Sequence, residues 1–95
     1  MLFVIHALDR EGALSRRLAA YDAHKAFLAD ASRHGLSIVM SGPLTNDDGS
    51  AMIGSLLVVE APDRDTVVRF NAADPFHAAG IWVRVAITGF IRRQG

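Results

Sequence analysis

Cysteine is absent from all 95 residues, which excludes disulfides, thiolate metal sites and thiol nucleophiles. An excess of charge of one sign is missing as well, because ten basic and ten acidic side chains cancel to a formal net charge of zero. Binding to nucleic acid or to an anionic membrane draws on a basic patch, so neither is expected as a partner. No stretch approaches the ~18 consecutive apolar residues of a membrane span. The opening Met1-Leu2-Phe3-Val4-Ile5 is interrupted by His6 and Asp9, with no basic stretch before it and no small-residue cleavage site after it. That makes a poor signal peptide, and the cytoplasm is the expected compartment. Repeats, low-complexity stretches and linkers are also lacking, so residues 1–95 are expected to form a single domain.

What the chain does have is apolar content. Hydrophobic residues make up 51% of it, ample for a core and too rich for a disordered chain. Leu2 to Leu8 is a short β-rich run that predicts a first strand, broken by Asp9-Arg10-Glu11-Gly12. From Ala13 to about His34 the chain is rich in Ala, Leu, Arg and Lys without Gly or Pro, which predicts one long helix stopped by Gly35. Leu36 to Met40 predicts a second strand ended by Gly42-Pro43, and Thr45-Asn46-Asp47-Asp48-Gly49-Ser50 has turn chemistry. Ser55 to Glu60 predicts a third strand, closed by Pro62. Asp63 can cap a second helix to about Ala73. Asp74-Pro75 opens one short turn from Phe76 to Ala79, stopped by Gly80, and Trp82 to Ile91 makes the fourth strand. The order βαββαβ is the ferredoxin-like split unit: an α+β fold with a four-stranded antiparallel sheet and two helices on one face.

A sheet covered on one side alternates apolar and polar residues along each strand. Here Leu2, Val4 and Leu8 alternate with Phe3, Ile5 and Ala7, and Leu56-Leu57-Val58-Val59 repeats the feature, so both faces are largely apolar. Two helices cannot cover both, and so small a chain leaves much apolar surface uncovered. The open face is expected to meet a ligand or another subunit, and a sheet-on-sheet homodimer is the simplest solution.

At ~100° per residue, Leu14, Leu18, Tyr21 and Leu28 form an apolar stripe on the first helix, widened by Ala20, Phe27 and Ala31. Arg17 and His24 fall inside that arc, nearly superposed two turns apart. Polar groups on a buried face need a hydrogen bond, a counter-charge or a cavity. Either Arg17 snorkels at the helix edge and His24 is a satisfied core histidine, or both face a polar pocket where the helix crosses the sheet, with His24 as an acid–base group. Asp74 is likewise either a plain N-cap or a carboxylate that also accepts a bond from an imidazole, orienting the ring and fixing its tautomer. Gly42-Pro43 and Gly54-Ser55 flank the polar loop, where they serve the turn or let backbone approach a ligand closely. His6 and His77 match no metal-ligand spacing, so no metal is expected. His34 before Gly35 reads as a helix-end residue near terminal carbonyls. Ser55 has no Ser-His-Asp arrangement that would make it a nucleophile.

Taken in order, these residues resemble the YciI-like (YCII-related) family of the dimeric α+β barrel superfamily. The resemblance runs nearly the whole chain: the strand Leu2-Phe3-Val4-Ile5 followed by Asp9, Arg17 and His24 on the first helix, Gly42-Pro43, Gly54-Ser55, and Asp74-Pro75-Phe76 with Ala79-Gly80 before the last strand. It implies sheet-to-sheet dimers and a pocket in which His24 and Asp74 are the catalytic pair. Arg17, Tyr21, Gly42, Pro43, Ser55 and Phe76 are the substrate contacts expected around them, with Arg17 a possible carboxylate anchor. The chain departs from the family where an arginine often precedes the histidine by one turn, here Tyr21, and where Pro-Phe is common near the end, here Gly89-Phe90. The first departure changes the charge of the pocket.

The resemblance implies proton-relay chemistry on small hydroxylated aromatic or quinone-like compounds, including loss of HCl from a chlorinated hydroxyquinol. The leading expectation is therefore a cofactor-free lyase or isomerase. The alternative is a small-ligand-binding or accessory module using the same pocket without turnover, which fold alone does not separate. An RNA-binding ferredoxin-like domain is disfavoured by the zero net charge and the lack of an aromatic-rich RNP strand. A haem-linked oxygenase would need an axial ligand, for which only His24 or His6 could be pressed into service.

Overall fold

A computed structural model describes residues Met1–Gly95. The elements are β1 (Leu2–Asp9), α1 (Leu14–Ala29), a short 3-10 turn (Ala31–His34), β2 (Ser37–Thr45), β3 (Met52–Glu60), α2 (Arg64–Ala73), α3 (Pro75–Ala78) and β4 (Trp82–Phe90). One four-stranded sheet has the order β2-β3-β1-β4, and every neighbouring pair is antiparallel. This is the ferredoxin-like arrangement.

The most apolar strands take the middle of the sheet, where both edges are paired and both faces can be covered. Ile5 of β1 stands opposite Leu57 of β3 on one side and Ile87 of β4 on the other. Phe3, Ile5, Leu57 and Val59 point to the helical side and meet Val67 and Phe70 of α2 in the main core cluster. A second, smaller cluster of Ala7, Ala13, Phe76, Ile81 and Trp82 fills the other end. It fixes α3 against the sheet, and the candidate site is built over it.

Four features differ from the sequence-based expectation. The long helix ends at Ala29 rather than His34: the chain tightens through Asp30, whose N–H bonds Phe27 O three residues back, into the 3-10 turn. That tightening turns Ala31 and Leu36 into the core, and Gly35 then closes the turn in the left-handed region at φ 80°. His34 at the turn's end packs on Phe27 and Phe70 (ring centroids 4.9 and 5.7 Å) instead of meeting terminal carbonyls. The second strand does not stop at Gly42-Pro43 but continues to Thr45. β2 is an edge strand, where a missing N–H costs no ladder bond. β3 starts earlier than expected, at Met52.

The outer sheet face carries no helix. Leu2, Val4, Leu8 and Leu56 are half-buried there, and Met40 and Phe90 are exposed. No helix is long and apolar enough to cross a membrane.

Asp63 caps α2, its Oδ1 accepting from the Thr66 backbone N–H at 2.8 Å and the Thr66 hydroxyl at 2.7 Å. The Thr66 backbone bond, followed by the hydroxyl bond, holds its carboxyl below the ordinary value of 3.8. A depressed folded-state value stabilises above the unfolded value, and the contribution is lost as pH falls through the folded one. Asp63→Ala should therefore lower the melting temperature at neutral pH, and the gap to the wild type should close as the pH drops well below 3.8. A gap independent of pH would show that the cap acts without its charge. Gly54 gives a second expectation. A Cβ there would lie against the Ala7 backbone oxygen of the neighbouring strand, closer than non-bonded atoms can approach. Gly54→Ala should cost about 1–3 kcal/mol in urea denaturation, the usual penalty of overpacking. A loss within error of zero would mean the strands separate freely at this point.

Candidate active site

The first helix buries polar side chains rather than apolar ones. Arg17 and His24 are 4% and 8% exposed, while Leu18 and Tyr21 are 60% and 50% exposed. Arg17 does not snorkel outward, and of the apolar stripe Leu14, Leu18 and Tyr21 stay exposed while Leu28, with Phe27 beside it, packs against the main core cluster. The helix packs beside α3 and leaves a cavity of about 620 Å³ between itself and the β2–β3 side of the sheet.

Arg17 reaches down to the sheet. Its Nε donates to Asp9 Oδ2 at 2.8 Å and its Nη2 to Asp9 Oδ1 at 3.2 Å. The same Nη2 lies 2.6 Å from both Gly54 O and Ser55 Oγ. Asp9, at the end of β1, is thus the counter-charge that a buried guanidinium requires. Gly54 also permits the close strand approach that brings its carbonyl into this network.

One end of the network meets the other through Phe76. The His24 ring stacks on Phe76 with centroids 3.8 Å apart and planes 3° from parallel. Arg17 Cζ lies 4.9 Å from the same ring centroid. His24 Nδ1 is 2.8 Å from Asp74 Oδ1, an oxygen that also accepts the Phe76 N–H at 2.9 Å as the N-cap of α3. An ionised carboxylate only accepts, so Nδ1 carries the hydrogen, and Nε2 keeps its lone pair while the ring is neutral. Nε2 bonds no group of the protein, and His24 lines the cavity. Asp74 is 1% exposed, and its Oδ2 has no protein partner.

Of the residues singled out by sequence, His24, Arg17, Tyr21, Gly42, Pro43 and Ser55 share the cavity wall. Asp74 lies behind His24 rather than on the wall. Phe76, expected to touch a ligand, is sealed at 0% exposure: the short α3 turn rotates it under the imidazole, so it supports the ring instead. Lys25 and Met52 line the cavity without having been singled out. Lys25 stands beside His24 at the edge of the helical arc, and that adjacency was its only signal. No group of three or more His, Asp or Glu side chains is arranged to hold a metal ion.

The sequence matches the model of the YCII-related domain family over residues 1–91. It is 33% identical over 95 residues to Protein YciI of Escherichia coli O6:H1 and to Protein YciI of Shigella flexneri, covering 95% of this chain and 96% of each relative. Among solved structures it is similar to the 5-chloro-2-hydroxyhydroquinone dehydrochlorinase TftG of Burkholderia phenoliruptrix AC1100, in complex with 2,5-dihydroxybenzoquinone. That match has a TM-score of 0.83 and 35% identity over 96% of this chain and 94% of the other. A family match of this extent, carried by relatives that align end to end, means that the chain belongs to the YCII-related domain family.

Proposed function

We propose that this protein is a cofactor-free lyase or isomerase that moves protons on a small hydroxylated aromatic or quinone-like compound. The observation that carries the reading is the buried 2.8 Å bond between His24 and Asp74, made behind a ring whose other nitrogen opens on a cavity of substrate size. About 620 Å³ suits a ligand of one or two rings. The two aspartate caps of the chain provide an internal comparison. Asp63 does its capping exposed to solvent, whereas Asp74 is buried with one oxygen unpartnered. Capping alone does not need that costly placement, but orienting an imidazole does.

In this reading His24 Nε2 takes a proton from a ring hydroxyl and returns one to a ring carbon, while Asp74 holds the tautomer and steadies the imidazolium. Arg17 and Tyr21 bound the site on the helix side, and Gly42, Pro43 and Ser55 bound it on the sheet side. For a chlorinated hydroxyquinol, two hydroxyl protons leave, one proton reaches the carbon that bore chlorine, and chloride departs with its bonding pair. The product is a hydroxyquinone. The ring supplies its own electron pair, so the balance calls for no outside reductant or oxidant. The fold similarity to a dehydrochlorinase supports this substrate class. Homodimerisation through the open sheet face and a cytoplasmic setting belong to the same reading, the former supported by the uncovered Met40 and Phe90.

His24→Ala and Asp74→Asn should each lower turnover of a chlorinated hydroxyquinol by roughly 10²–10⁴-fold with the fold retained by circular dichroism. The double variant should lose little more than either single one, because residues acting as a unit are not additive. Full activity in either single variant would end the proton-relay reading. A wild type that binds such compounds without turning them over would leave the binding-module alternative. Light scattering at micromolar concentration should give twice the 10.2 kDa chain mass, and a monomeric mass with no apolar-dye binding would refute the dimer.

A further inference from the structure

The cavity wall carries Arg17, His24 and Lys25 and no acidic side chain. Carboxylates outside the cavity answer the first two, Asp9 at Arg17 and Asp74 at His24. Lys25 has no such partner. The ion pairs of the chain are made by Met1, Arg17 and His24, and Asp22, one turn back on α1, stands off the wall. An ammonium is a compact charge with rotating donors on a long stem, so its direction is set by what it meets. Tyr21 lies one turn before Lys25, which puts both on one face of α1. Both line the cavity and both are exposed, so they stand at its mouth. The floor differs in kind: Leu28, Ile38 and Leu57 line it, and each belongs to or packs on the main core cluster.

We propose that Lys25, with the Tyr21 hydroxyl beside it, receives a carboxylate of the ligand at the cavity mouth. The compound is then a hydroxylated aromatic acid, with its ring on the apolar floor, a hydroxyl at His24 Nε2 and its carboxylate toward solvent. The inference rests on the proton-relay reading and adds to it a substituent that the reaction does not consume. Desolvation explains the placement. A carboxylate buried without a partner is costly, whereas at the mouth it keeps water on one side and gains a cation on the other. An ammonium and a phenol supply a donor for each of its oxygens. The floor takes the face of the ring, whose removal from water is favourable. Lys25 follows His24 directly on α1, so the acid group and the reacting hydroxyl can belong to one substituted ring.

(2,5-Dihydroxyphenyl)acetate and its primary amide test this, because they share the ring and its hydroxyls and differ in charge. Calorimetry under nitrogen, which keeps the rings reduced, should show the wild type favouring the acid. At low ionic strength Lys25→Met should cut that acid-over-amide preference by roughly five-fold, the upper range of an exposed ion pair. Lys25→Arg should restore it, and Tyr21→Phe should lower it by a smaller factor. The wild-type preference should also shrink as salt is raised, because the charges are screened. Lys25 and Tyr21 are exposed, so these variants should keep the circular dichroism of the wild type. A wild type that binds both compounds equally or binds neither, a preference that survives Lys25→Met, or one indifferent to salt would overturn the proposal. His24→Ala should lose turnover yet keep the preference for the acid. Full turnover in that variant would defeat the proton-relay reading and leave acid binding at Lys25 to stand or fall by itself.

Discussion

The two most deeply buried side chains of the first helix are an arginine and a histidine, so directed bonds share its docking with the apolar contacts of Ala20, Phe27 and Leu28. Those bonds run from Arg17 to Asp9, Gly54 and Ser55 at one point and from His24 to Asp74 at another. Such bonds are strong only when both partners are in place, and removing one side of a buried charged pair costs about 3–5 kcal/mol. Leu14, Leu18 and Tyr21 are left exposed as a result. The space those side chains would have filled by sinking onto the sheet is the cavity. Stability and site therefore have a common origin, because the bonds that fix the helix also keep it off β2 and β3.

The supporting layer follows from the same constraint. Phe76 is fully buried, with Arg17 and His24 against its ring and Trp82 edge-on at 5.9 Å. An imidazole stacked on a ring fixed by the smaller core cluster has little freedom to turn. Its bond to Asp74 sets the remaining rotation. The larger cluster around Phe70 and Val67 reaches the cavity through Leu57, with Leu28 and Ile38 packed on it, and forms its apolar floor.

Local chemistry was legible in the sequence, and tertiary consequences were not. Asp63 with Thr66 and Asp74 with Pro75 are cap signatures contained within a few residues, and both elements start where those signatures place them. Nothing in the composition around Asp30 marks the end of α1, because that break serves the burial of Ala31 and Leu36. Nor does Pro43 announce that its strand lies at an edge, the one place where a proline can sit within it. Arg17 and His24 were readable because they interrupt an apolar arc, yet the same arc suggested that its leucines were core. Asp9 reads from sequence only as the break after the first strand. Its pairing with Arg17, eight positions on, depends on the turn between them.

The two polar anchors have a common construction. In each, a buried carboxylate outside the cavity holds a nitrogen-bearing side chain of α1, which ends at or beside a polar atom on the wall. Asp9 and Arg17 lead to the Ser55 hydroxyl, and Asp74 leads to His24 Nε2. The Ser55 oxygen and His24 Nε2 are each held from behind by a side chain that a carboxylate anchors, so both keep a fixed direction on the wall. Selectivity then falls to the direction of two bonds, and direction is what a helix fixed at two points is able to hold.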